Sequence, residues 1–477
     1  MSRYTVFIIY MALALLSHNV NSMAEILSKD KGIKNQEPIS EEIEEWANIS
    51  ITLESLDIRL LGADKLPIDL SSALSLAIAS NLDIAEAKAE VLEAKGNMKA
   101  AVGQLLPFIY FFFGYGHTEG RVQGSFGELK NVDFDTVNPG MTVGYNINPG
   151  KTFFNNLASR RIVDSTMAKK SVITQDTLLK VFEQFYNLIE AQAKIKVSEE
   201  SVANSNSLLR IAEALQKEGL GPGADVVRAR AKLEEDKQVL IGSQNEFRQA
   251  SADLAFTLKL NPSITLFPKD KILTLITIVD PQINLSDLMK KAISQHPGIH
   301  QASEIVKAAD AESSAVWLDN LGPDLILQAE LGGIGDEFDN IQHSENYQAL
   351  IGFTVSASSY GDIKAARARS QRAMILEEKE GERIKTTVVK SYDDVISAKE
   401  KITPAKTEVK SAEDSLRLSQ VRFKRGIGLA IEVIQAGNAL SEARLNYIRA
   451  IVDYNKAQAR LANSIGDISL DNINSSI

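Results

Sequence analysis

Residues 70–81 read LSSALSLAIASN, and residues 285–296 read LSDLMKKAISQH. The two stretches share their first leucine and serine and, further on, an alanine followed by an isoleucine, at an offset of 215 residues. Later in the chain, Gly219-Leu220 falls opposite Gly426-Ile427, at an offset of 207 residues. A period of this length is far too long for a solenoid unit. The sequence therefore predicts one half that is present twice.

Both halves show the same order of elements: an alanine-rich helix, two strands, a very long helix, a glycine turn and a returning helix. Apolar positions in the long helices step by three and four residues, as on one face of a helix. At 1.5 Å per residue the first long helix would measure about 100 Å. The two shorter helices of the same half, placed end to end, would have about the same length. Pro404 is expected to kink or break the second long helix. The predicted helices are 70–105, 151–218 and 224–260 in the first half and 285–320, 361–425 and 429–463 in the second.

Four segments are candidate strands. Residues 141–147 and 351–358 alternate between apolar and polar side chains, the pattern of a strand with one apolar face. Residues 325–331 alternate less cleanly, and residues 108–117 are aromatic on both faces. Polar, glycine-bearing loops are expected between the strands of each pair, at 118–137 and 332–346.

The start of the chain resembles an export signal. Arg3 precedes an unbroken apolar run, Val6–Leu16, which is too short to span a bilayer. A buried N-terminal helix is the alternative. No later apolar run is longer than Ile272–Val279, so a mature protein that spans a membrane would have to do so as a closed β-barrel.

Composition excludes several classes of function. The 477 residues include 62 Asp and Glu against 52 Lys and Arg, and this net charge of −10 argues against a nucleic-acid partner. The chain has no cysteine, which excludes disulfides, thiolate catalysis and cysteine-bound metals. The predicted domains are a signal peptide (1–24), an acidic N-terminal extension (25–66), a first repeat (67–262), a linker (263–284), a second repeat (285–466) and a C-terminal tail (467–477).

With these features the sequence resembles the TolC-like family of outer-membrane efflux proteins. The resemblance covers residues 70 to 466 and rests on four motifs in a fixed order. They are the Leu-x-x-Ala-x-x-x-Ala-x-x-x-Asn opening at 70–81, Leu-Leu-Pro at 105–107, Gly-Leu-x-x-x-x-Asp-Val at 219–226 and the segment 423–434. The acidic extension lies outside this core.

The resemblance implies a fold that is mainly α with a small β part. Long antiparallel helical hairpins would form an α-barrel, and four strands per subunit would form a 12-stranded transmembrane β-barrel in a homotrimer. The helices would lie in the periplasm. Such proteins are passive exit ducts in the outer-membrane lipid, and they serve tripartite efflux or type I secretion. Their partners are a periplasmic adaptor (membrane fusion protein) and an inner-membrane pump. They are not enzymes and hold no cofactor. A soluble periplasmic coiled-coil scaffold is the alternative function.

The same resemblance assigns roles at the two glycine turns. Gly219, Leu220, Gly426 and Ile427 match the tips that contact the adaptor, while a bare helix–helix turn would need the glycines for positive φ alone. Asp225 matches an acid that holds the closed state. Glu432 matches the first of two gate aspartates, with pairing to a basic residue of a neighbouring helix as the alternative. Gln435 replaces the second aspartate, and Gly428 replaces a gate-locking arginine, for which Lys424 or Arg425 could substitute.

Other candidates for chemistry are weak. His296 and His300 are four residues apart, as two metal ligands on a helix would be, but Pro297 and Gly298 lie between them. A solvated helix start is therefore the prediction, with no metal site and no catalytic residue. The charged stretch 377–385 is predicted to be a solvated helix face, with the wall of a tunnel as its alternative.

Overall fold

A computed structural model of the chain describes residues 65–269, 274–280, 283–354, 356–470 and 473. The predicted signal peptide and the acidic extension up to residue 64 lie outside the described residues. The helices are α1 (Leu70–Ser80), α2 (Leu82–Gly103), α3 (Pro149–Lys217), α4 (Gly223–Thr257), α5 (Leu285–Gln295), α6 (Pro297–Leu321), α7 (Ser359–Lys424) and α8 (Ala430–Ser464). The strands are β1 (Lys65–Ile68), β2 (Phe108–Gln123), β3 (Leu129–Ile147), β4 (Thr265–Pro268), β5 (Pro323–Ile334) and β6 (Gln342–Phe353).

The helices lie side by side in two tiers that share the two long helices. Helices α3 and α7 have 69 and 66 residues, whereas α4 and α8 have 35 each. In the tier next to the strands, α2, α3, α6 and α7 follow one another, and in the tier next to the glycine turns the order is α4, α3, α8 and α7. Each long helix is therefore matched by shorter helices placed end to end. Within the described ranges, no helix combines the length and the hydropathy that a bilayer crossing needs.

The alanine-rich segments were predicted as single helices, and this prediction is wrong. Each is broken once, at Asn81 and at His296, which have extended backbones. Asn81 accepts hydrogen bonds from the N–H groups of Asp83 and Ile84, and its amide donates to the Thr257 carbonyl. His296 Nδ1 accepts from the N–H of Gly298 at 3.0 Å. The two side chains cap the following helix at equivalent positions of the two halves.

Proline at position 404 does not break the second long helix, contrary to the sequence-based prediction. Residue Pro404 lies inside α7, which runs without interruption from Ser359 to Lys424. The missing N–H leaves the carbonyl of Glu400 without its helical partner. Both Pro404 and Glu400 are exposed, so water can supply the hydrogen bond.

A second small sheet lies where the sequence predicted an extension and a linker. Strand β1 pairs in parallel with β4, in the register Lys65 to Thr265. The rest of the linker is held by two fully buried polar residues of α8, Asn455 and Gln458. Their side-chain oxygens accept from the N–H groups of Ile276 and Val279, respectively. Side chains thus replace the strand partner that this backbone lacks.

The main sheet has four antiparallel strands in the order β2-β3-β5-β6. The loops within the two hairpins are much shorter than predicted, because β2 and β3 continue to residues 123 and 129, and β5 and β6 to residues 334 and 342. Polar residues in these extensions hid the strand signal. The predicted strand 351–358 ends at Phe353 for the opposite reason: a run of serines begins the turn into α7.

The cap at His296 makes the protein sensitive to acid. Burial lowers the pKa of the His296 imidazole more than the nearby carboxylates of Glu380 and Asp176 raise it, and Arg383 lowers it further. The folded protein therefore favours neutral His296, whose Nδ1 can accept from Gly298; protonation removes this acceptor. The stabilisation is complete above the unfolded-state pKa of about 6.5 and is lost as the pH falls below it.

We expect His296→Asn, which copies the cap of Asn81, to retain thermal stability at pH 7.5 and to lose less of it at pH 5.5 than the wild type. His296→Ala should lose about 1 kcal/mol relative to the wild type at pH 7.5, because the cap is absent, and less at pH 5.5, where the wild type has itself lost part of the stabilisation. Thermal unfolding in detergent at the two pH values measures this. An equal acid-induced loss in wild type and His296→Asn would contradict it.

Candidate functional site

The main sheet has one apolar face. It is formed by the odd-numbered residues of all four strands, in the part of each strand that lies next to the helices. The register aligns Ile109 with Val143, Ala329 and Tyr347 in one row across the sheet. In the protomer the side chains on the two edge strands are exposed, with Phe111 at 73%, whereas those on β3 and β5 are half-buried and Val137 is buried. The other members of the apolar face are Phe111, Phe113, Tyr115, Val137, Pro139, Met141, Tyr145, Ile147, Leu325, Leu327, Leu331, Ala349 and Ile351.

The apolar face has the height of a bilayer core. From Val137 to Ile147 it follows β3 for about 33 Å, or about 24 Å in height at a 45° tilt, close to the apolar band of about 25 Å in membrane barrels. Its outer border slants. Counted outward from the helices, the first charged or titratable residue of this face is His117 on β2 and Glu345 on β6. Glu345 lies in the same row across the sheet as Phe111, six residues before His117 on β2. Strands that are tilted through a flat apolar layer require such a slant.

Both edges of this sheet are open among the described residues. Strand β2, with 16 residues, pairs only with β3, and β6, with 12 residues, pairs only with β5. Long unpaired edges are rare in soluble proteins because they invite pairing with another chain. In lipid they are excluded, since each unpaired backbone group costs several kcal/mol.

The opposite face of the sheet, which we call the polar face, consists of the even-numbered residues of the same strands. One row of this face reads Tyr110, Thr142, Glu330 and Asn346. Its β5 and β6 positions carry mainly acidic, amide, hydroxyl and glycine residues. On β2, by contrast, every polar-face position from residue 108 to 112 is aromatic.

Both long helices end in the same hydrogen-bonded turn. Gly219 and Gly426 have φ angles of 72° and 70°, a conformation that glycine adopts without strain. The next residues, Leu220 and Ile427, donate from their N–H groups to carbonyls five residues earlier, at 2.8 and 3.1 Å. This is the Schellman motif, and it occurs at equivalent positions of both halves.

The two turns present apolar side chains to solvent above a shared core. Leu220 is 66% exposed and Ile427 is 68% exposed. Directly beside these two residues, the ends of α3, α4, α7 and α8 that adjoin the glycine turns pack into one buried cluster. It contains Leu208, Ala212, Val226, Ala229, Ala412, Leu416, Phe423, Ala430, Val433, Ala436, Leu440 and Ala443.

Each returning helix carries an acid in its first turn, six residues after the tip glycine. Asp225 is buried, and its carboxylate lies 3.2 Å from the guanidinium of Arg228. Glu432 is 36% exposed and lies 3.5 Å from Arg422 of the neighbouring helix. Both acids also lie at the positive end of a helix dipole.

Within one protomer, Glu432 therefore shows the pairing that the sequence analysis held as the alternative to a gate ring. The partner is Arg422, which lies two and three residues before the residues that were considered as substitutes, Lys424 and Arg425. Gln435 is exposed one turn further along α8, and Gly428 belongs to the turn itself. A basic partner at Arg422 was missed because the tip turn brings the last turn of α7 beside the first turn of α8, which the sequence alone does not show.

The predicted solvated helix start at His296 is wrong, because this residue is only 8% exposed, while His300 is exposed. Within the described ranges, no group of three or more acidic or histidine side chains could hold a metal ion. Of the stretch 377–385, four residues are exposed, four are half-buried and Ile384 is buried; Glu380, one of the half-buried ones, turns towards Arg383 and His296.

Comparison with known proteins gives a family. The family model described as outer membrane efflux protein matches residues 73–258 and 288–467, which is most of the chain. A search of curated proteins finds no match.

Several solved structures share the fold. The outer-membrane channel OprN is 17% identical with a TM-score of 0.75, over 84% of this chain and 90% of its own. The outer membrane channel CmeC of Campylobacter jejuni is 14% identical with a TM-score of 0.76, over 83% and 85% of the two chains. VceC, an outer membrane protein of Vibrio cholerae, is 15% identical with a TM-score of 0.74, over 83% and 96%. These findings confirm the predicted fold class of long helical hairpins with four strands per subunit.

Proposed function

The chain belongs to the outer membrane efflux protein family, the TolC-like outer-membrane factors, and on this premise we propose that three copies form a passive exit duct docked to a periplasmic adaptor and an inner-membrane pump. The family consists of outer membrane channels, and the protein is located in the outer membrane. The single observation that carries the proposal is the four-stranded sheet with one exposed apolar face and two open edges. A soluble periplasmic scaffold would have no use for such a face.

The open edges support the trimer. Four strands are too few to close a barrel, since the smallest membrane barrels have eight. Pairing β6 of one copy with β2 of the next removes both edges at once, and three copies give twelve strands. Under this arrangement the apolar face contacts lipid and the polar face lines the lumen.

We expect the protein to be an obligate trimer in mild detergent, because a protomer with open edges cannot be stable in an apolar environment. Analytical ultracentrifugation with detergent matched in density measures the mass. A monodisperse, folded monomer would contradict the proposed barrel.

The tips support docking to an adaptor. Leu220 and Ile427 are exposed apolar residues at equivalent turns, so a trimer would present six such positions at one end. Gly219 and Gly426 bring the backbone to the surface beside them. A repeated apolar residue on a glycine turn is suited to packing against helices of a partner.

The tip residues give the second test. We expect Leu220→Asp and Ile427→Asp to weaken binding of the host's purified adaptor at least tenfold, about 1.4 kcal/mol, because each buries a charge in the contact. Leu220→Met and Ile427→Val are the matched controls and should bind as the wild type does. Biolayer interferometry on the intact trimer measures the affinity. Equal binding by the Asp variants and their controls would exclude the tips as the docking site.

We propose Asp225, Glu432 and Gln435 as the constriction of the duct. If Glu432 faces the three-fold axis, three carboxylates converge there and favour cations over anions. The exposed pair with Arg422 weakens the ring without abolishing it. Gln435 and Gly428 make it less restrictive than a ring of two acids with a locking arginine.

Glu432→Gln should reduce the cation selectivity of single channels in planar bilayers at neutral pH, because it removes three converging charges. Acidification of the wild type should have the same effect. Glu442→Gln, which removes an exposed charge further along α8, is the control and should leave selectivity unchanged. An intact Glu432→Gln trimer with wild-type selectivity would show that Glu432 does not form the ring.

A further inference from the structure

Two phenylalanines of β2 pack over glycines of the neighbouring strand. Phe108 is paired with Gly144 and Phe112 with Gly140. A methyl group added to either glycine would overlap the end of the phenylalanine ring that crosses it. The glycines therefore let both rings lie against β3 on the polar face.

Tyr110 completes a row of three rings. Its ring centroid is 6.0 Å from that of Phe112, and the two planes differ by only 20°. Tyr110 is 60% exposed and Phe108 is 45% exposed. The exposed rings thus border the space in front of the polar face, where a ligand can reach them. We call Phe108, Tyr110 and Phe112 the aromatic platform.

The charges around the platform are negative only. The polar-face row of Tyr110 contains Glu330, two strands away or about 10 Å across the sheet. Asp324 is the other charged residue on this face between positions 324 and 334 of β5. From residue 108 to 118 of β2, 136 to 146 of β3 and 342 to 352 of β6, the even-numbered residues include no lysine or arginine.

We propose that the aromatic platform and Glu330 form a binding site for organic cations with an aromatic or bulky apolar body. This inference rests on the proposed function, since the polar face is luminal only if the sheet closes into the duct. The faces of aromatic rings carry negative quadrupole charge and attract a cation that lies within about 6 Å of the ring centre. Glu330 adds a full negative charge in the same row, and the rings offer the apolar area that an amphiphilic cation needs.

The glycines explain how Phe108 and Phe112 pack against β3, but they do not account for Tyr110, which is paired with Thr142. Aromatic residues of a membrane barrel normally face lipid at the interfaces, but Ile109 and Phe111 occupy the lipid side of β2 here. The polar face as a whole cannot contact lipid, because it carries Asp324, Glu330 and Gln328. Three apolar rings on a wet face are therefore free to contact what passes through the lumen.

Tetraphenylphosphonium is a suitable probe, and neutral triphenylphosphine oxide is its uncharged counterpart. Equilibrium dialysis against the full-length protein in lipid nanodiscs measures saturable binding. We expect the double variant Tyr110→Leu and Phe112→Leu to bind the cation about tenfold more weakly, because leucine keeps the apolar area but lacks the π-face. Glu330→Gln should weaken binding of the cation about threefold and leave the neutral compound unaffected.

Phe111→Leu removes an aromatic ring from the lipid side of the same strand and should bind as the wild type does. Gly140→Ala keeps every ring but displaces that of Phe112, and it should also weaken binding. Equal saturable binding in the wild type and the double leucine variant, or none in the wild type, would overturn the inference. Conductance of the same preparations in planar bilayers tests the duct separately. A conducting protein without the site refutes only this inference.

Discussion

A strand edge that faces lipid leaves its backbone N–H and C=O groups without any partner, and this constraint governs the whole molecule. The protomer has two such edges, on β2 and β6, together with an apolar face of bilayer height. Among the residues that the structure describes, nothing covers either of them, because the described helices adjoin only one end of the sheet. The fold is therefore complete only when copies pair edge to edge, as the proposed trimer does. The helical tiers must then have the same height in every copy.

The two halves of the chain build the same helical arrangement with different residues at equivalent positions. The cap that restarts the helix is an asparagine in the first half and a histidine in the second, and both bond to the next turn. The tip glycines keep the same φ, because a Schellman turn needs it regardless of the neighbours. The first-turn acids, Asp225 and Glu432, keep their place but differ in burial. Backbone geometry is thus preserved where side-chain chemistry has diverged.

The sequence predicted the elements that depend on a repeating pattern. Helices of 60 or more residues, the glycine tips and the apolar halves of the strands all have periodic signals, and the structure contains them. It did not predict features that depend on single contacts. The breaks at Asn81 and His296 follow from one capping hydrogen bond each, and the strand ends beyond residue 117 lie where both faces meet water, so no alternation marks them.

The candidate site divides in the same way. The tips and their acids could be found, because a glycine turn between long helices leaves a local mark. The aromatic platform could not, because the side on which Phe108, Tyr110 and Phe112 lie depends on register with β3. Arg422 was missed because helical geometry, not sequence proximity, brings it to Glu432.

The two hairpin tips differ in how firmly they are held. In the first hairpin, Lys232 pairs with Asp236 at 3.0 Å, both largely buried, and Ser205 of α3 donates to the same carboxylate. Lys232 and Asp236 both belong to α4, so only the Ser205 hydrogen bond joins the two helices there, and separating the helices would remove a hydrogen bond to a buried carboxylate, which costs about 1.5–3 kcal/mol. In the second hairpin, the pair of Arg422 and Glu432 is exposed and contributes at most about 1 kcal/mol. Widening at the tips therefore costs less if α7 and α8 separate than if α3 and α4 do.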